Sequence, residues 1–196
     1  MKELITAIRL FVVLSILTGI VYPLAATGIA QGVFPHQANG SLIVKDGRVQ
    51  GSELIGQPFS NPKYFWSRLS ATSPAPYNAS ASSGSNLGPT NPALIGDTKT
   101  SGAISDRVRA LREADPEHSE PIPTDLVTSS GSGLDPHVSV AAAMVQVSRV
   151  AKARSLPESE VQSAVEKYIE ERTFGLLGER VVHVVKLNLA LDELGK

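Results

Sequence analysis

Hydrophobic positions along the chain fall into three kinds of pattern. Leu10 to Ala30 is an unbroken apolar run, LFVVLSILTGIVYPLAATGIA. As a helix its 21 residues span about 31 Å, the thickness of one hydrocarbon layer. Residues 1–9 then lie in the cytoplasm, 10–30 form a transmembrane helix, 31–41 a linker, and 42–196 one extracytoplasmic α+β domain. Short alternating runs follow. Leu42 to Val44, Asp46-Gly47 and Val49 predict a hairpin. Val181 to Leu187 predicts a strand, and Leu126 to Thr128 a shorter one.

Helical spacing accounts for most of the rest. Asn91-Pro92 opens an irregular helix to Ala114, with Ile104, Val108 and Leu111 on one face, and Asp115-Pro116 ends it. Asp135 is placed to cap a helix with Pro136 at its first position, running over Val138 to Arg154. Ser155 to Glu158 matches a capping box for a following helix that turns Val161, Val165, Tyr168 and Ile169 inward. Asn188 to Leu194 forms a tail helix. Phe59, Tyr64, Phe65 and Trp66 lie among prolines, which oppose an inner strand and favour an aromatic core cluster.

Charge sharpens the reading of the N-terminus. No Asp, Glu, Lys or Arg occurs between Arg9 and Lys45. Lys2 and Arg9 hold the start on the cytoplasmic side, which leaves the remainder outside. The rival reading is a cleaved secretory signal ending near Ala26 to Ala30, although the run exceeds the usual core of about 7–15 residues. Ser15, Gly19, Pro23 and Thr27 recur every four residues, a stripe on which another helix can pack closely. The whole chain has 196 residues, a net charge of −1 and no cysteine. These values oppose a nucleic-acid binder and exclude disulfides, thiolate metal sites and cysteine nucleophiles.

Leu69 to Gly96 is 28 residues without a charge. It reads either as a mobile Ser/Gly/Pro linker or as an ordered, partner-facing loop. Its segment Asn86-Leu87-Gly88-Pro89-Thr90-Asn91 is rich in turn formers, which supports the loop. Asn78-Ala79-Ser80 also fits a glycosylation sequon.

Chemical motifs are sparse. Gly131, Ser132 and Gly133 precede a predicted helix start and offer backbone N–H groups to an anion, but Asp135 opposes phosphate there. GxxxxGK[ST], GxSxG and calcium-loop patterns do not occur. Asp97-Thr98-Lys99-Thr100 has the letters of a phosphorylatable loop in the wrong order. The histidines, His36, His118, His137 and His183, have no metal-ligand spacing. Arg107, Arg109, Arg112, Arg149, Lys152 and Arg154 are expected on solvated helix faces.

Several stretches carry a family resemblance: GSELIGQ (51–57), YFWSRLSA (64–71), NASASSGSNLGPTN (78–91), VTSSGSGLDPHVS (127–139), 142–154 and VVKLNLALD (184–192). With the anchor they resemble the C subunit of the Kdp high-affinity potassium-transporting P-type ATPase over nearly the whole chain. Leu69 stands where that family is expected to have proline. The resemblance implies one membrane helix, an α+β outer domain and a non-catalytic accessory role in the cell (inner) membrane. Its implied partners are a potassium-binding channel-like subunit, an ATP-hydrolysing P-type subunit and a small membrane peptide. It also implies a catalytic chaperone that raises ATP affinity, with ATP as a ligand by resemblance only. Gly131-Ser132-Gly133 or Ser82 to Asn86 are the stretches a nucleotide signature would use. The charge pattern puts the domain outside, so that with the resemblance it is expected over the outer ion entrance, bracing the assembly. Asp135 and His137, with the anchor stripe and Asn86 to Asn91, are the partner-packing candidates. Nucleotide binding in its own right and a secreted hydrolase remain the competing classes.

Overall fold

A computed structural model describes residues 1–96, 101–117 and 119–194. The chain divides into two compact units, Met1–Ser52 and Glu53–Lys196.

In the first unit one helical run covers Lys2–Val33, long and apolar enough to cross a membrane. It consists of α1 (Lys2–Ile16), a π-helical turn (Leu17–Val21) and α2 (Tyr22–Val33). The widened turn ends two residues before Pro23, which has no N–H and whose ring crowds the preceding turn. A single helical turn, α3 (Pro35–Ala38), follows. The hairpin then forms as expected from β1 (Leu42–Lys45) and β2 (Arg48–Ser52), paired antiparallel. Asp46 and Gly47 link them with φ of 52° and 72°. Positive φ at both positions is what a two-residue type I′ turn requires.

The second unit is α+β. Its helices are α4 (Pro92–Ile95), α5 (Ala103–Ala114), α6 (Thr124–Val127), α7 (Val140–Met144), α8 (Val147–Arg154), α9 (Glu158–Lys167) and α10 (Val184–Leu194). Its strands are β3 (His137–Ser139), β4 (Ile169–Glu170) and β5 (Val181–His183), in the antiparallel order β3-β5-β4. The core joins Val138 and Val182 of the sheet to Val150, Val161, Val165, Leu187 and Leu191 of the helices. α9 illustrates the local logic. It buries Val161, Ala164 and Val165 at helical spacing, with Glu158 and Glu160 in its first turn and Lys167 in its last. That charge placement complements the helix dipole.

Several elements differ from the sequence expectation, each for a structural reason. Leu126 to Thr128 is not a strand, because Pro123 precedes a helical turn and the Thr128 hydroxyl donates back to Thr124 O at 2.8 Å. Asp135 does not cap a helix. Its carboxylate accepts from His137 N at 3.0 Å, and a strand follows; Ser139 is the residue that caps α7, accepting from Ala142 N. The expected helix over 138–154 breaks at Gln146, whose amide turns back to Ala142 O and across to Trp66 O. Ser155 lies in the left-handed region at the end of α8, so α9 starts after Pro157 without the capping box. Ile169 belongs to β4, not to α9. The helix expected from Asn91 to Ala114 appears as α4 and α5, with 97–100, including Asp97-Thr98-Lys99-Thr100, outside the described residues. The strand expected to Leu187 stops at His183. Val184 N reaches Pro136 O at 3.0 Å, but proline has no N–H to continue the ladder, and α10 begins.

Candidate functional site

The aromatic segment 64–66 is the framework behind the candidate site. Prolines keep it out of the sheet, so its backbone must find other partners. Asn188 and Gln146 supply them from distant helices. Phe65 N donates to Asn188 Oδ1 at 2.8 Å, and Asn188 Nδ2 donates to Phe65 O at 2.9 Å. Trp66 N donates to Gln146 Oε1 at 2.7 Å, and Gln146 Nε2 returns to Trp66 O at 3.2 Å. Two side-chain amides thus imitate a neighbouring strand.

The arginines expected on solvated faces complete this framework. Arg107 and Arg149 hold their guanidinium carbons 4.8 and 5.0 Å from the Trp66 ring centroid, a double cation–π arrangement. Arg107 donates to Leu126 O and to Ser67 O, while Arg149 donates to Gln146 and to the carbonyls of Pro62 and Tyr64. Burial lowers the pKa of each to about 10. Arg154 pairs with Asp192 at 2.8 Å and lies 5.0 Å from the Tyr64 ring centroid. Lys152 remains exposed and pairs with Glu117, and Arg109 pairs with Asp106. No local sequence signal marks Gln146 or Asn188, whose partners lie 80 and 123 positions away.

The uncharged stretch is ordered against the glycine loop. The Ser70 hydroxyl donates to Gly133 O at 2.7 Å and accepts from Tyr77 N at 2.9 Å. Thr72 Oγ1 donates to Ala75 O and accepts from Asn78 N. Tyr77 OH donates to Arg68 O at 2.7 Å. Across the seam, Ser83 N and Ser82 Oγ both donate to Ser132 O, at 2.9 and 3.0 Å. Gly133 has φ +68°, and a Cβ there would stand 2.6 Å from both Ser83 O and Thr72 Cγ2. Close approach and backbone angle together require glycine at this position. The sequon residue Asn78 uses its side chain within a turn, accepting from Ser80 N and donating to Ser73 O.

The remaining candidates separate. Asn91 caps α4 by accepting from Ala93 N at 2.9 Å, and Gly88 O accepts from Asn91 N. Asn86 has φ 53°, and Leu87 lines a groove of about 340 Å³ with Leu69, Ala71, Leu94 and Val127. Pro89 and Thr90 are exposed. Ser15, Gly19, Pro23 and Thr27 lie in the other unit, all exposed, with Gly19 inside the π-helical turn.

Asp135 and His137 do meet, at the open end of the sheet. His137 Nδ1 lies 3.2 Å from Asp135 and Nε2 lies 3.3 Å from Glu170, while Arg68 pairs with Asp135 at 3.2 Å. Burial pushes the Asp135 carboxyl up, but the His137 ring and N–H and the Arg68 charge outweigh it and hold the carboxyl below its ordinary range. The hydrogen bond to Asp135 raises His137 above its ordinary value, against burial and with help from Glu170. His183, 5.1 Å from the His137 ring, is lowered by burial. An ionised Asp135 beside Gly131, Ser132 and Gly133 disfavours phosphate. These residues also lead into β3, not a helix N-terminus, which removes the dipole that reading assumed. Among the described residues no group of three His, Asp or Glu side chains is placed to hold a metal ion.

Comparison with known proteins agrees over nearly the whole chain. The family model described as KdpC, K+-transporting ATPase, c chain, matches residues 4–193. The potassium-transporting ATPase KdpC subunit of Sorangium cellulosum is 61% identical over 186 residues, covering 95% of each chain. That of Methylococcus capsulatus is 58% identical over 188 residues, covering 96% of each. That of Dechloromonas aromatica is 56% identical over 197 residues, covering 100% of each. An anchor-length helix followed by an α+β unit, with matched residues from one end to the other, leads to one conclusion: the chain belongs to the KdpC family, the c chain of K+-transporting ATPases.

Proposed function

We propose that the chain is a non-catalytic accessory subunit of an ATP-driven high-affinity potassium pump. It is held by one membrane helix, with residues 1–9 in the cytoplasm, 10–30 in the bilayer, 31–41 as linker and 42–196 outside. The observation that carries the proposal is the family match over residues 4–193. The helix of Lys2–Val33, apolar and wholly unburied within the chain, supports the membrane anchorage. Lys2 and Arg9 support the orientation.

In this reading the subunit braces a potassium-binding channel-like subunit at the outer ion pathway. It reaches the ATP-hydrolysing subunit and a small membrane peptide through the anchor. The stripe Ser15, Gly19, Pro23 and Thr27 packs on a partner helix. A raised ATP affinity in the hydrolysing subunit is then transmitted through assembly, since residues 42–196 and the cytoplasmic nucleotide lie on opposite sides of the membrane.

A C-terminally tagged full-length chain, co-expressed with the other subunits, should copurify with them from detergent. Deleting Leu4 to Ala30 should abolish that recovery, and unchanged recovery would overturn the proposal. Titration of the full chain with magnesium-ATP should give no micromolar signal. A saturable one would favour direct nucleotide binding.

A further inference from the structure

The hairpin between β4 and β5 presents a feature the proposed function does not use. At its tip Phe174, Leu176 and Leu177 are 90%, 80% and 64% exposed. Three large apolar side chains on one short turn form a contiguous knob, unlike the scattered exposed leucines normal on a protein surface.

The knob is preorganised. Thr173 and Leu177 bridge across the tip, with Thr173 N to Leu177 O at 2.9 Å and Leu177 N to Thr173 O at 3.0 Å. Leu176 N also donates to Thr173 O, and Gly175 N to Arg172 O. Phe174, Gly175 and Gly178 all have positive φ, which sets the turn. Because these tip N–H groups are paired internally, the tip can leave water with little polar cost. Below it, Arg172 pairs with Glu179, and Arg180 pairs with Glu171. The result is an apolar centre above a charged collar, the anatomy of a protein–protein anchor.

Charge decides between a protein and a lipid occupant. Its charges are already paired, Arg172 with Glu179, Arg180 with Glu171 and Glu170 with His137 and Lys186, and no Lys, Trp or Tyr stands between Ile169 and His183. Interfacial lipid binding favours an excess of Lys and Arg around the apolar residues, and a collar of internally paired charges offers anionic headgroups none. We infer that Phe174, Leu176 and Leu177 dock into an apolar pocket with a polar rim on the outward face of another protein subunit of the same membrane complex. This inference rests on the accessory-subunit reading above.

The test uses the full-length chain with benzoyl-phenylalanine at position 174, co-expressed with the other subunits and irradiated in cells. A covalent adduct with one protein subunit is expected, with none from the same probe at Gln162 on the exposed face of α9. The double variant Phe174→Ser/Leu176→Ser should keep the parent's thermal unfolding and dissociate from the purified complex at least about tenfold faster, since clustered apolar anchors dominate such interfaces. An adduct with lipid alone, an adduct with a second copy of this chain alone, no adduct, or dissociation at the parent rate would overturn the inference. If the parent chain does not copurify, the accessory-subunit reading fails with it. If the parent copurifies and position 174 yields no protein adduct, the inference alone fails.

Discussion

The seam between residues 69–84 and 129–134 and the packed helices α8–α10 share one unit but cohere by different means. The helices bury Val150, Val161, Val165, Leu187 and Leu191 almost completely. The seam buries few large apolar groups and relies on Ser70, Thr72, Ser82 and Ser83 bonding to backbone. Apolar burial is non-directional and tolerates small shifts. A hydroxyl-to-backbone bond is directional, and each contributes only about 0.5–1.5 kcal/mol net. The seam should therefore hold its shape accurately while opening more readily than the core.

Two substitutions break the two regions apart. Leu187→Ala removes a fully buried side chain of α10 and should destabilise the chain by about 3 kcal/mol. Urea titration in detergent would measure this, with amide protection lost throughout the second unit. Gly133→Ala forces a Cβ against Ser83 O at φ +68°, and should cost about 2 kcal/mol through strain and overpacking. Hydrogen exchange should then accelerate at Ser83 and Tyr77 first, while Val161 and Leu191 stay protected. Uniform loss of protection would show that seam and core are one cooperative unit.

The smallest effect concerns pH. His137 has a folded pKa raised above 6.5, chiefly by Asp135. Its contribution is fully present below 6.5 and is lost as pH climbs through the raised folded value. His183, lowered by burial, acts in the opposite sense, losing stability as pH falls from 6.5 through its folded value. Removing the first with His137→Gln should destabilise the chain at pH 5.5 and matter progressively less toward pH 8.5. A stability difference from the parent that stays constant across this range would contradict the charged contact.

Features set by neighbouring residues were legible in the sequence. The anchor follows from run length, and the β1–β2 hairpin from Asp46-Gly47. α9 follows from the spacing of Val161 and Val165. Features set across the fold were not legible. Asp135 makes the same turn-forming bond whether a helix or a strand comes next, so the letters could not tell these apart. Arg107 and Arg149 carry no sign that the face of Trp66 lies beneath them. The order of 69–84 depends on Gly133 and Ser132, some sixty positions later; the sequence favours an ordered loop over a linker through the turn formers of 86–91 but does not reveal this partner. Of the site, the residues Gly133, Asp135 and His137 were visible. Their partners Ser70, Thr72 and Glu170 were not, because hydroxyls and carboxylates are common letters with no distinctive spacing.

The amide pairing at Phe65 has a consequence in time. Asn188 is made 123 positions after Phe65, which at about 5–20 residues per second is a delay of roughly 6–25 s. Throughout synthesis the aromatic segment waits beyond an already finished anchor, its main chain lacking the last clasp. A nascent chain stopped before residue 188 lacks Asn188 and would remain open at Phe65 however long it is held.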